Sequence, residues 1–402
     1  MSMPAPLPHR LRPLVGRDPG EPHRAATPLE LLYDLTFAIA FGATSAQLAH
    51  AVVGGSLGAG LLAFAFTTFA VSWAWINYAW WASAFDTDDW LVRLLTLVQM
   101  IGVLVIALGV PDVFASIEAG TLDIRVVVLG YVVIRLGQLA LWVRVAVQDA
   151  AHRRDAIVSA AALLVAQLGW VALGALELPI AVALVAAVPL YLVELCGPIL
   201  AEFRFGRSPW HPHHIGERYS CLVLVTLGEV VIGTATTVGA TVQDHGWSVD
   251  AALVAAAGMA LAFGLWWVVF LIPSGEVLAR APRRGFAWGY GHIVVFGSLV
   301  AVGAGLDVAA LAIEGGSLEP AAVATGVALP VGVLLAAIFV LYSLLVGSFS
   351  PFHTLLFVIA LVLLVASVGA AAAGAPLAAW LALVVLAPAT VIVGVEAPRR
   401  HR

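Results

Sequence analysis

The sequence predicts an all-α, polytopic transmembrane bundle of about twelve spans, and three observations carry that expectation. Of its 402 residues, 62% are hydrophobic and only 11% charged, and the mean hydropathy is +1.02; no soluble domain needs that much apolar surface. Apolar runs of about 20 residues, the length that crosses a hydrocarbon core roughly 30 Å thick, recur along nearly the whole chain. When those runs are threaded as alternating spans, the arginines collect on one side.

Taken in order, residues 1–27 read as a disordered cytoplasmic tail. They carry Pro4, Pro6, Pro8, Pro13, Pro19 and Pro22 beside Arg10, Arg12, Arg17 and Arg24, with no apolar core of a cleavable signal. A first six-span half, 28–200, follows, with spans near Leu29 to Val53, Leu57 to Trp81, Leu91 to Val110, Ile124 to Val147, Ala156 to Leu176 and Ile180 to Leu200. A connecting loop, 201–218, leads to a second half, 219–396. Its spans lie near Tyr219 to Ala240, Val249 to Ile272, Phe286 to Ala309, Pro320 to Val346, Thr354 to Ala373 and Pro376 to Val395, before a short cytoplasmic end, 397–402.

With the N-terminus inside, the tail arginines and Arg93, Arg144, Arg153, Arg154, Arg204, Arg207, Arg280, Arg283, Arg284, Arg399, Arg400 and Arg402 are cytoplasmic. Only Arg125 sits near an outer end, so both termini are expected inside a bacterial plasma membrane. The halves also resemble each other. Pro28-Leu-Glu30 and Gly216-Glu217-Arg218 open their first spans, and Trp80-Trp81 and Trp266-Trp267 lie late in their second, at an offset of about 186 residues. Six spans per half implies parallel repeats.

Composition excludes several classes. Net charge is -5 and there is no lysine, so no basic field suits nucleic acid; the lysine-free usage points to a GC-rich bacterial genome. Cys196 and Cys221 fall in or beside apolar segments and read as small buried residues outside any disulfide framework. Trp210-His-Pro-His-His214 is interrupted by Pro212 and lacks the spacing of a metal site. Glycine-rich patches such as Gly54-Gly55 lack the context of a nucleotide loop. With no nucleophile, base and acid set, neither an enzyme nor a cofactor is expected.

The informative residues are polar groups where apolar ones belong. Glu229 stands inside Cys221-Leu-Val-Leu-Val-Thr-Leu-Gly-Glu-Val-Val-Ile-Gly233, and a carboxylate there costs several kcal/mol unless paired, protonated or wetted. Glu30 and Asp34 follow Thr27, a candidate N-cap, and Pro28, and their i, i+4 spacing puts both on one helix face. Glu30 also suits the positive end of the helix dipole, a purely structural role. His214, Glu217 and Arg218 share a face at the start of the seventh span, where the last two could act only as interfacial anchors. Arg218 to Glu229 is about 20° from a whole number of turns.

Arg135, mid-span in Val132-Val-Ile-Arg-Leu-Gly-Gln138, needs a counter-charge from Glu229, Glu194 or Asp34, and pairing with Glu229 is the expectation tested below. His292 is promoted as a proton-exchanging group. Gln47, His50, Asn77, Gln99, Gln138, Gln167 and Asp307 read as inter-helix hydrogen-bonding groups, and Trp73, Trp75, Trp80, Trp81, Trp266 and Trp267 as belt or packing residues.

The assembled motifs resemble the bacterial low temperature requirement protein A (LtrA) family. They are Leu29-Glu-Leu-Leu-Tyr-Asp-Leu-Thr-Phe, Trp75-Ile-Asn-Tyr-Ala-Trp-Trp-Ala-Ser-Ala-Phe-Asp-Thr-Asp-Asp89 followed by Arg93-Leu-Leu, and His214-Ile-Gly-Glu-Arg218 leading into Leu227-Gly-Glu229. Gly289-Tyr-Gly-His292 and Phe296-Gly-Ser-Leu-Val-Ala-Val-Gly complete the set. The resemblance implies a multi-pass plasma-membrane protein linked by name to growth in the cold, and no particular substrate or reaction. Asp86, Asp88 and Asp89 match the family's acidic loop, which the topology makes a solvated cytoplasmic connection.

Two functions are weighed. The first is a proton-coupled secondary transporter of a small solute, with Glu229 and Asp34 as proton-binding carboxylates, one on the first helix of each half, and Arg135 or His292 as modulators. The second is a non-transporting lipid-adaptation or scaffold protein whose charges only hold helices together. A transporter's acids should line a wet crevice, whereas structural ones should be dry and paired.

Overall fold

The structure, a computed structural model, describes residues 11–21, 24–176, 178–206, 208–314 and 318–397. Among the described residues it has thirteen α-helices and no strand: α1 (Pro28–Val53), α2 (Leu57–Phe85), α3 (Trp90–Glu118), α4 (Arg125–Gln148), α5 (Arg153–Gly174), α6 (Ile180–Phe205), α7 (Pro212–His245), α8 (Val249–Phe270), α9 (Ser274–Arg280), α10 (Gly285–Ile313), α11 (Pro320–Val346), α12 (Pro351–Ala372) and α13 (Leu377–Glu396). Among the described residues twelve segments are long and apolar enough to cross a membrane; the eighth, Ala251–Arg280, takes in most of α8 and the short α9 together. The polytopic bundle expected from sequence is therefore the fold.

Helix ends follow local chemistry. At α1, Thr27 Oγ1 accepts from the Glu30 N–H at 3.2 Å while Glu30 Oε2 accepts from the Thr27 N–H at 2.8 Å, a reciprocal capping box. The helix stops before Gly55, whose φ of +80° suits glycine alone among common residues. Two boundaries beside the expected 201–218 loop differ from expectation, and the first is that α6 runs on to Phe205 instead of ending near Leu200. α7 begins at Pro212, not near Tyr219, so most of the expected 201–218 loop is helix. The reason is that His214 and Arg218 are buried and partnered instead of lying at a membrane interface.

The chain divides into two compact units, Met1–Ala40 with Ala70–Arg218, and Phe41–Phe69 with Tyr219–Arg402. Residues 41–69 belong to the second unit, so α1, α2 and α7 each contribute to both.

Within the first unit, α3 to α6 pack in chain order. A Cβ at Gly102 would stand 2.6 Å from the Gly130 carbonyl, so α3 and α4 approach as closely as small residues permit. Within the second unit, α10 to α13 also pack in chain order, and α13 returns onto α8, where Gly264 makes room for Pro388. A tryptophan and a glutamate link the second and sixth spans of each set: Trp73 to Glu194 at 2.6 Å, and Trp267 to Glu396 at 3.3 Å.

Large apolar side chains such as Leu108, Val185 and Val365 are exposed along the spans, as suits a surface solvated by lipid. The cysteines depart from expectation. Cys196 is exposed, on the same helix face as the exposed Leu192 and Leu200, and Cys221 is half-buried; neither is in a disulfide.

Candidate functional site

In the first unit, Glu30 and Asp34 of α1, Trp75 of α2, and His214 and Arg218 of α7 converge, each at most 1% exposed. His214 Nε2 stands 3.2 Å from Glu30 Oε1, and Arg218 Nη2 donates to Asp34 Oδ1 at 2.5 Å. The Trp75 indole N–H donates to that same oxygen at 2.6 Å, and the guanidinium carbon lies 5.6 Å from the Trp75 ring centre. The i, i+4 spacings of Glu30 with Asp34 and of His214 with Arg218 therefore present two acids to two basic groups. Glu217 turns outward instead: it is exposed and accepts the Ala26 N–H at 3.2 Å.

A second cluster ties down the α2–α3 connection. Asp89 caps α3 by accepting the Leu91 and Val92 N–H groups, and it receives Arg144 through both terminal nitrogens, at 3.0 and 2.5 Å. Asp86 and Asp89 are 2% and 0% exposed, so the acidic loop is a buried anchor and not a solvated connection. Burial alone would raise the Asp89 carboxyl, but Arg144 and the Val92 N–H hold it at about 2. At Asp86 burial, then the Glu30 charge, outweigh the Arg24 cation and push the carboxyl up to about 6.

The described part of the N-terminal tail, 11–21 and 24–27, corrects the expectation of disorder; the rest of the tail lies outside the described residues. Leu14 is fully buried with its N–H on Gln148 Oε1 at 2.7 Å, and the Gly16 N–H donates to Asp149 Oδ2 at 2.7 Å. The Arg17 guanidinium donates to the Asp86 carbonyl at 3.0 Å and the Arg24 guanidinium to the Ala82 carbonyl at 2.6 Å. The segment is a strap across helix ends.

Arg135 also corrects an expectation. Its partner is Glu194 of α6, not Glu229: Nη2 contacts Oε2 at 2.7 Å, both side chains are nearly inaccessible, and the Trp73 indole donates to the same oxygen at 2.6 Å.

Glu229 lies in the second unit and is 6% exposed. Space for its carboxylate comes from Gly42, where a Cβ would stand 3.3 Å from Oε1, and its backbone carbonyl would meet a Cβ at Gly303 at 2.7 Å. Among the described residues its carboxylate has no ion pair and no hydrogen bond. The charge that acts on it is that of Asp307 of α10, which itself accepts from the Thr236 hydroxyl at 2.6 Å and lies within electrostatic reach of His50.

His292 is 5% exposed among Trp288, Tyr219 and Phe296, with ring centres 4.3, 5.0 and 5.9 Å away. Nδ1 lies 2.8 Å from the Trp288 carbonyl. A carbonyl only accepts, so Nδ1 carries a proton there. No group of three metal-binding side chains exists among the described residues; His211 instead contacts the Glu21 carbonyl at 2.9 Å.

Sequence reasoning missed the tryptophan indoles as partners of buried acids, and it missed the Asp89–Arg144 pair. Trp73 and Trp75 are about 200° apart on α2, so one reaches α6 and the other α1. The signal was that spacing, read against the helices on either side.

Residues 25–388 match the model of a family described as bacterial low temperature requirement A protein (LtrA). No curated protein and no solved structure matches the chain.

Proposed function

The chain belongs to the bacterial low temperature requirement A family, and we propose that it is a secondary transporter coupling a small solute to protons, with Glu229 as the proton-binding carboxylate. The observation that carries this reading is a carboxylate buried at mid-span without a cation or hydrogen-bond donor among the described residues. A group in that position takes its compensation from a proton, from water or from a passing ligand. Asp307, Thr236 and His50 supply further groups able to accept or pass a proton in the same unit. The arginine distribution supports placing both termini at the cytoplasmic face of a bacterial plasma membrane.

A second reading, a non-transporting protein that adapts or scaffolds the bilayer, is favoured by the dryness of the first unit. There Glu30, Asp34 and Glu194 each meet a basic group and fit the role of structural pairs. The transport reading therefore rests on Glu229 and no longer needs Asp34 or Arg135.

The test uses liposomes containing a pH-sensitive dye and a potassium-diffusion potential, with wild type compared with Glu229→Gln. Proton flux in wild type that disappears in a folded Glu229→Gln supports the proposal. Equal flux in both overturns the role of Glu229, and no flux in either, with or without candidate solutes, favours the second reading.

A further inference from the structure

A cavity of about 330 Å³ opens in the second unit, remote in sequence from Glu229, among the ends of α8, α9 and α13, the second half of α11 and the first turns of α12. Its volume lies within the roughly 300–1,000 Å³ range of small-molecule pockets. Its lining residues on α11 run from Leu335 to Val346, about 16 Å along the helix axis. Apart from Tyr342 and His353 the lining side chains, such as Leu335, Ile338 and Phe357, are apolar.

Polarity appears at one end only. Tyr342 near the end of α11 and His353 near the start of α12 both line the cavity, and their rings meet edge to face at 5.2 Å. Val277 of α9 marks the same end. Three arginines, Arg280, Arg283 and Arg284, follow Val277 in the sequence. Arg284 is engaged, donating to the Leu344 and Leu345 carbonyls at 2.6 and 2.8 Å. Arg280 is 80% exposed with only a loose 3.9 Å contact to Glu276, and Arg283 is exposed. The order from depth to surface is apolar, then aromatic and hydroxyl-bearing, then cationic, which is the order of a phospholipid read from chain to headgroup.

We infer that this cavity holds one acyl chain of an anionic phospholipid, with Tyr342 and His353 at the level of the ester groups and Arg280 and Arg283 at the phosphate. The apolar depth excludes a soluble anion as the occupant. The arginines distinguish an anionic headgroup from a zwitterionic one, since the latter carries its own compensating cation.

The experiment is native mass spectrometry of the full chain in detergent with equal phosphatidylglycerol and phosphatidylcholine. Wild type is expected to retain one phosphatidylglycerol with at least tenfold preference. The double variant Arg280→Gln/Arg283→Gln should bind the two lipids alike, and Ile338→Trp, which fills the cavity, should retain neither. Should Ile338→Trp fail to fold, wild type is labelled with phosphatidylglycerol carrying a photoreactive group on its chain. Labelling concentrated between Leu335 and Phe357 supports the site. No retained lipid, retention unaffected by Ile338→Trp, displacement by oleate as effective as by phosphatidylglycerol, or labelling spread evenly over all spans would overturn it.

Discussion

In the first unit Arg135 meets Glu194 at 2.7 Å and Arg218 meets Asp34 at 2.5 Å, each acid also taking a tryptophan N–H. In the second, Glu229 is as inaccessible as Glu194, at 6% exposure, yet among the described residues it meets no cation. The difference separates two uses of a buried carboxylate. One whose partners are built in locks helices together, and removing either partner strands the other charge in a medium that cannot solvate it. One without built-in partners leaves room for a proton or ligand, and its neutral amide equivalent should cost the fold little.

The largest effect should come from breaking a pair in the first unit. Arg135→Leu leaves Glu194 charged and is expected to lower stability by roughly 3–5 kcal/mol, measured by thermal or denaturant unfolding in detergent. Arg135→Leu combined with Glu194→Leu should regain most of that loss; a double variant as unstable as the sum of the singles would break the comparison.

Next comes Asp89, which both caps α3 and holds Arg144. Asp89→Ala should cost about 2–4 kcal/mol. Because its carboxyl is held at about 2, below its ordinary 3.8, this contribution is present above pH about 4 and lost as pH falls toward 2.

Asp86, three residues earlier, should behave in the opposite sense. Its folded value of about 6 lies above the ordinary 3.8, so folding favours the protonated form. Stability is then full below pH about 4 and declines as pH rises through about 6, by up to about 3 kcal/mol. Asp86→Asn should match wild type near pH 4 and exceed it at pH 7.5. A wild-type unfolding profile that rises between those values and is unchanged by the substitution would show that Asp86 is not the group responsible.

Much of the fold was legible because span length and apolar content are set by the bilayer. α11 falls on Pro320–Val346 as read from sequence, between a proline at its first turn and Gly347 just past its end, which has a φ of +79°. The capping role of Thr27 was equally legible, since it depends on residues three apart. What failed depends on partners distant in sequence. The start of α7 was misplaced because Glu217 and Arg218 read as interfacial anchors until Asp34 is brought to Arg218 and Glu30 to His214. Arg135 had three candidate acids, and only the packing of α4 against its neighbours selects Glu194. The N-terminal strap was unreadable because its hydrogen bonds are made largely by backbone N–H groups, to Asp89, Gln148 and Asp149, and these leave no trace in side-chain pattern.

The smallest expected effect is the most telling. Unfolding of Glu229→Gln should be measured beside Glu194→Gln in the same detergent at pH 7.5. The account expects Glu229→Gln within about 0.5 kcal/mol of wild type, since it removes no built-in partner, and Glu194→Gln lower by roughly 3 kcal/mol or more. Equal destabilisation of both would contradict it, and would make Glu229 a structural residue like the paired acids of the first unit.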